Sequence, residues 1–77
     1  MEPTTKIVTI LADNFGLDGG IDHDTPLFSS GLLDSLSSVR LLLLLEQSFE
    51  IKVSPLDVEI DDINSVRKIA ATVERLN

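Results

Sequence analysis

Ser30-Gly31-Leu32-Leu33-Asp34-Ser35-Leu36 leads through Ser37-Ser38 into Val39-Arg40-Leu41-Leu42-Leu43-Leu44-Leu45-Glu46-Gln47-Ser48-Phe49. A glycine-bearing polar loop ends here and strong helix formers take over, so the stretch predicts a helix from about Ser35 to Phe49, with Ile51 and Val53 packing just after it. At 3.6 residues per turn, Leu41, Leu42, Leu45 and Phe49 share one core-facing sector. Leu36, Val39 and Leu43 cannot all join them, so some of these side chains are expected in solvent. For Leu43 two readings stand side by side, a crowded core and an exposed surface. The run Leu41 to Leu45 is far shorter than the roughly 20 residues of a membrane span, and Arg40 and Glu46 bracket it.

Working outward, Ile7, Ile10, Leu11 and Phe15 form a stripe at helical spacing, with Thr4 or Thr5 as expected cap and Gly16 as the stop. From Leu17 to Asp34 the chain is rich in Gly, Asp, Ser and Pro, and only Ile21, Leu27, Phe28, Leu32 and Leu33 could reach a core. A connection that long is unusual in so small a chain and marks a functional surface. Ser54-Pro55 stops the chain, and a third, weak helix is expected after it, with Pro55 at a first helical position and Asp57, Glu59, Asp61 and Asp62 crowding its course. Asn64 or Ser65 then caps a last helix carrying Val66, Ile69, Ala70, Val73 and Leu76 inward and Arg67, Lys68 and Arg75 outward. The fold class that follows is all-α, a small four-helix bundle of three main helices and one short third helix, with a long loop between helices one and two.

The whole chain of 77 residues, 1–77, makes one small domain on this reading, with monomer as the expected state. Only three Phe and no Trp or Tyr are present, so the core must be aliphatic. With no cysteine there is neither a disulfide framework nor a thiolate metal site, and Met1 to Thr5 lack the basic and apolar regions of a signal peptide. A cytoplasmic protein is the resulting expectation. Thirteen acids against six bases give a formal charge of −7, which argues against a nucleic-acid partner. That acidity also has a plain reading, the solubility of a small domain.

The chemistry centres on Ser35. Its hydroxyl sits at a helix N-terminus, where unpaired N–H groups and the helix dipole favour a phosphate ester. With one histidine and no cysteine, nothing at triad-like spacing can activate it. Ser35 therefore reads as the substrate of another enzyme, and the chain as no enzyme itself. The competing structural reading makes Ser35 a plain helix cap. The loop Asp18-Gly19-Gly20-Ile21-Asp22-His23-Asp24 resembles a calcium loop, but counted from Asp18 its sixth position is His23 and its twelfth Ser29, where an EF-hand needs glycine and a bidentate acid. No metal is assigned. Gly31-Leu32-Leu33-Asp34-Ser35 is not a nucleophile elbow, and His23 receives no role.

Leu27-Phe28, Ser30-Gly31-Leu32-Leu33-Asp34-Ser35-Leu36, Val39, Leu42, Leu45-Glu46, Phe49, Ile51 and Ile63-Asn64-Ser65-Val66 together resemble an acyl carrier protein over nearly the whole chain. The resemblance implies that Ser35 receives 4′-phosphopantetheine from coenzyme A through a phosphopantetheinyl transferase, and that the arm's thiol holds acyl groups as thioesters. It implies further that Asp34 and Leu36 take part in transferase recognition. A carrier of this type needs no general base of its own.

The stretch from Leu36 to Leu45 departs from the acid-rich second helix of fatty-acid carriers, holding no acid and one base, Arg40. Partner recognition is accordingly expected through Leu36, Val39 and Leu43, with Arg40 adding a polar contact. The form Ser-Gly-Leu-Leu-Asp-Ser-Leu is closer to free-standing aminoacyl and D-alanyl carriers. It implies loading by an adenylating ligase or an acyltransferase and delivery to a downstream acyl-accepting enzyme. The chain's start at Met1 and its end just past the last helix fit a stand-alone carrier. Two other functions stand beside this one: a discrete carrier of a polyketide or fatty-acid pathway, and an unmodified helical adaptor that binds through the exposed leucines of helix two.

Overall fold

The computed structural model describes residues 3–54 and 56–76. Three α-helices carry the fold: α1 (Pro3–Phe15), α2 (Ser35–Phe49) and α3 (Val66–Leu76), with a 3₁₀ turn, Ile60–Ile63, just ahead of α3. No strand occurs among the described residues, in line with the helical spacing of the apolar positions. No helix among them is long and apolar enough to cross a membrane.

The helix from Pro3 starts earlier than a cap at Thr4 or Thr5 would allow. Proline at the start of a helix loses no hydrogen bond, and both threonines lie inside the first turn, where the Thr9 hydroxyl donates back to the Thr5 carbonyl at 3.0 Å. Gly16 ends α1 at φ +70°, a left-handed position that glycine takes without steric cost. At the far end of α2, Glu50 takes the left-handed cap at φ 54° and donates its N–H to the Glu46 carbonyl. The Glu46 carboxylate meanwhile accepts from the Val53 N–H at 2.8 Å, tying the chain after α2 back onto the helix. Ile51 and Val53 are thereby buried as expected.

The weak third helix is shorter and later than the acid-rich stretch suggested, a 3₁₀ turn confined to Ile60–Ile63. Pro55 itself lies outside the described residues. Asp62 accepts from the Glu59 N–H at 3.0 Å and so closes the turn. Ser65, rather than Asn64, caps α3: its hydroxyl accepts from the Lys68 N–H at 3.1 Å.

One apolar core joins the three helices. Ile7, Ile10 and Leu11 of α1 meet Leu41, Leu42 and Leu45 of α2 and Val66, Ile69 and Val73 of α3, with Leu27 and Leu33 brought in from the long loop. Leu32, which could have joined them, is instead about half exposed. Thr72, on the buried face of α3, is accommodated because its hydroxyl donates to the Asp62 carbonyl at 2.8 Å. Lys6 of α1 reaches across to α2, where its ammonium donates to the Ser48 carbonyl and lies 4.9 Å from the Phe49 ring centroid.

Candidate functional site

The start of α2 is organised by Asp34. Its backbone is extended, and its carboxylate accepts from the Ser37 N–H at 2.9 Å and from the Ser37 hydroxyl at 3.0 Å. Asp34 is therefore the N-cap, which corrects the reading of Ser35 as the cap: a cap residue reaches forward to the third helical N–H, and Ser35, already the first helical residue, is past that point. The Ser37 N–H, and then the Ser37 hydroxyl, hold the Asp34 carboxyl below the usual carboxylate range, so it is ionised at neutral pH.

Freed from capping, the Ser35 hydroxyl is exposed and makes no hydrogen bond with any described residue, while the Ser35 carbonyl accepts from the Ser38 hydroxyl at 2.5 Å. Beside it lies an open groove of about 410 Å³. Phe28, Ser29 and Leu33 form one bank, Ile60, Asp61 and Asn64 the other, and Asp34 and Ser35 close the end. The lining alternates apolar side chains with polar ones. The exposed Ser35 hydroxyl thus stands at the end of this groove, open to reaction.

The loop bank is held by two buried anchors, Leu27 and Leu33, whose backbones bond to each other, Leu33 N–H to Leu27 carbonyl, at 2.8 Å. Between them Gly31 turns at φ +86°, where any other residue would be strained. The Ser30 hydroxyl donates to the Pro26 carbonyl within the same turn. Across the groove, Asn64 accepts the Phe28 and Ser29 N–H groups on its side-chain oxygen and the Leu27 N–H on its carbonyl. The sequence marks Asn64 as a possible helix cap and as part of the Ile63-Asn64-Ser65-Val66 stretch, but does not place it at the site. The available signal was redundancy: two adjacent capping residues precede α3, and only one can cap it.

His23 is not brought to Ser35. It lines a separate depression with Thr5, Thr9 and Asp13, and its carbonyl accepts from the Arg67 N–H at 2.9 Å. The acids of the calcium-like loop are occupied locally. Asp18 and Asp22 accept from the N–H two residues on, at 2.9 and 2.8 Å, and Asp24 pairs with Arg67 at 2.6 Å. That guanidinium lowers the Asp24 carboxyl, and Asp24 in turn raises Arg67.

Leu36, Val39 and Leu43 are 82, 54 and 55 % exposed and lie on one outward sector of α2 that begins beside Ser35. The question of Leu43 is thus resolved toward the surface. Arg40 flanks the same sector, its guanidinium carbon 5.8 Å from the ring centroid of Phe15 at the end of α1.

Comparison with known proteins shows the family. Residues 5–73 match the family described as "Phosphopantetheine attachment site". A D-alanyl carrier protein of Lactobacillus delbrueckii subsp. bulgaricus is 36 % identical over 76 residues, covering 99 % of this chain and 95 % of that protein. Those of Leuconostoc citreum and Leuconostoc mesenteroides are 41 % identical over 71 residues and 38 % over 76, covering 92 and 99 % of this chain and 91 and 97 % of theirs. With a family model matching most of the chain and relatives of nearly equal length, the chain belongs to the phosphopantetheine-attachment family, carriers rather than enzymes, whose covalent cofactor is 4′-phosphopantetheine.

Proposed function

We propose that Ser35 is the attachment residue and that the chain, acting as one carrier domain over residues 1–77, holds D-alanine or another small aminoacyl group as a thioester for delivery to an acyl-accepting enzyme. The observation that carries the first part is the Ser35 hydroxyl, exposed, unbonded and at the end of the groove. Similarity to proteins named as D-alanyl carriers supports the second. Ser35 acts as acceptor: its oxygen bonds the pantetheine phosphorus of coenzyme A, the phosphoanhydride bond to the nucleotide breaks, and the hydroxyl proton leaves to a base on the transferase. The arm, once attached, supplies a thiol that forms thioesters.

Asp34 and Leu36 flank Ser35 and are read as transferase contacts. Leu36, Val39 and Leu43, with Arg40 at their edge, are read as the face on which the transferase, the adenylating ligase and the acceptor enzyme dock in turn. Use of coenzyme A and an adenylating ligase fits a cytoplasmic site of action.

The test is intact-protein mass after incubation with coenzyme A and a broad-specificity phosphopantetheinyl transferase. The wild type gains one phosphopantetheine and Ser35→Ala gains none; an adduct on Ser35→Ala would remove Ser35 from its role. Loaded protein is then offered D-alanine, ATP and a D-alanine-adenylating ligase, or malonyl-coenzyme A and a malonyl transferase. Hydroxylamine-labile D-alanine is the expected product, and exclusive malonyl loading would move the chain to a polyketide or fatty-acid pathway.

A further inference from the structure

Besides its buried anchors Leu27 and Leu33, the loop bank of the groove is hydrogen-bonded to one residue far away in sequence. Asn64 accepts the Phe28 N–H at 2.8 Å and the Ser29 N–H at 3.2 Å on the same side-chain oxygen, and its side-chain nitrogen donates to the Ser29 hydroxyl at 3.0 Å. Its carbonyl takes the Leu27 N–H as well, so three successive backbone donors of the loop end on this asparagine. The orientation of the amide is fixed by the chemistry, since only its oxygen can accept two N–H groups while its nitrogen faces a hydroxyl.

No other described side chain substitutes for this arrangement. Downstream of it the loop bonds to itself, Gly31 N–H to the Phe28 carbonyl and Leu33 N–H to the Leu27 carbonyl, and Leu33 is followed immediately by the cap Asp34 and by Ser35. Position is therefore passed from Asn64 through a short run of bonded residues to the hydroxyl that is to be modified. Asn64 also stands on the opposite bank of the groove, so the same contacts set the distance between the two banks.

We propose that Asn64 is a positioning residue for group transfer at Ser35, holding the Phe28–Ser29 backbone so that the transferase meets a preformed groove. This rests on Ser35 being the attachment site. Without the amide, the loop samples open arrangements, and a partner that binds only the fastened one sees its affinity reduced by the fraction that is fastened. The chemical step in the bound complex is unaltered, because Asn64 touches none of the reacting atoms.

The experiment compares steady-state loading of wild type, Asn64→Ala and Asn64→Asp by the transferase with coenzyme A, and follows amide hydrogen exchange of Phe28 and Ser29 in each. Circular dichroism at the assay temperature confirms that the compared variants are folded. Asn64→Ala is expected to raise KM for the carrier about tenfold with kcat within about twofold, the pattern of a reduced competent fraction. Asn64→Asp keeps an oxygen acceptor for both N–H groups, so it is expected to return KM to within about twofold of wild type. The Phe28 and Ser29 amides are expected to be protected in wild type and Asn64→Asp and open in Asn64→Ala.

An unchanged KM in folded Asn64→Ala, or equal losses in Asn64→Ala and Asn64→Asp, would overturn the inference while leaving Ser35 as the site. Should Asn64→Ala not fold, unprotected Phe28 and Ser29 amides in wild type would overturn it, and protected amides with wild-type KM in Asn64→Asp would uphold it. A wild type that gains no adduct would instead sink the attachment reading and this inference with it.

Discussion

The inward and outward faces of α2 are built from the same amino acid and behave in opposite ways. Leu41, Leu42 and Leu45 are buried in the core shared with α1 and α3, whereas Leu36 and Leu43, on the opposite side of the same helix, stand in solvent with Val39. Composition cannot separate these two groups, and only their angular position on the helix does. Burial of the first group stabilises the fold. Exposure of the second contributes little to folding and is the kind of apolar patch that a partner covers.

The comparison breaks first, and most visibly, at Leu45. Leu45→Ala is expected to cost about 2–5 kcal/mol, since the fully buried side chain leaves a cavity that the aliphatic core refills only in part. For a chain of this length total stability is about 4–12 kcal/mol, so urea unfolding should show the variant at the margin of folding. A loss below about 1 kcal/mol would mean that the inward face is packed more loosely than described.

Leu36→Glu and Leu43→Glu sharpen the contrast from the other side. Each should unfold within about 0.5 kcal/mol of wild type, because its side chain already meets water. On the proposed docking role of this face, aminoacylation by a D-alanine-adenylating ligase is expected to fall roughly tenfold for each, as for an apolar anchor at the centre of an interface. A Leu43→Glu variant as unstable as Leu45→Ala would erase the difference between the faces. A smaller effect is expected at their border, where Arg40→Ala removes a cation–ring contact with Phe15 worth about 0.5 kcal/mol at an exposed position.

The least disruptive test is acid. The Asp34 carboxyl is lowered by its bonds to Ser37, so its folded pKa lies below the unfolded one. Its contribution to the start of α2 is then fully present above the ordinary carboxylate pKa and is lost as pH falls through the depressed value. Nuclear magnetic resonance titration should show Asp34 titrating below a typical aspartate, with the Ser37 amide shifting in step. In Ser37→Ala the hydroxyl donor is gone and the depression should shrink without vanishing.

Much of this molecule is legible in its sequence because helices advertise themselves locally. The two sectors of α2, the stop at Gly16 and the face of α3 all follow from spacing within a few turns. Ser35 stood out for the same reason, as a hydroxyl at a helix start without a base near it. What the sequence concealed depends on competition or on distance. Asp34 and Ser35 are both good caps, and only geometry decides which reaches the Ser37 N–H. Asn64 lies 36 positions from Phe28, and no periodicity links a lone asparagine to a loop that far upstream. The acid-rich stretch ahead of α3 looked helical from its charges, but only Ile60–Ile63 coil there, in a 3₁₀ turn.

The groove beside Ser35 also has a history written into the order of synthesis. Its first bank and the serine itself are translated first, whereas Ile60, Asp61 and Asn64 come later, followed by α3, which brings Val66 and Ile69 to the core. A growing chain thus presents Ser35 before the opposite bank exists. On the proposed roles of Ser35 and Asn64, nascent chains that stop short of Asn64 should gain little or no phosphopantetheine, and chains that include it should gain the arm.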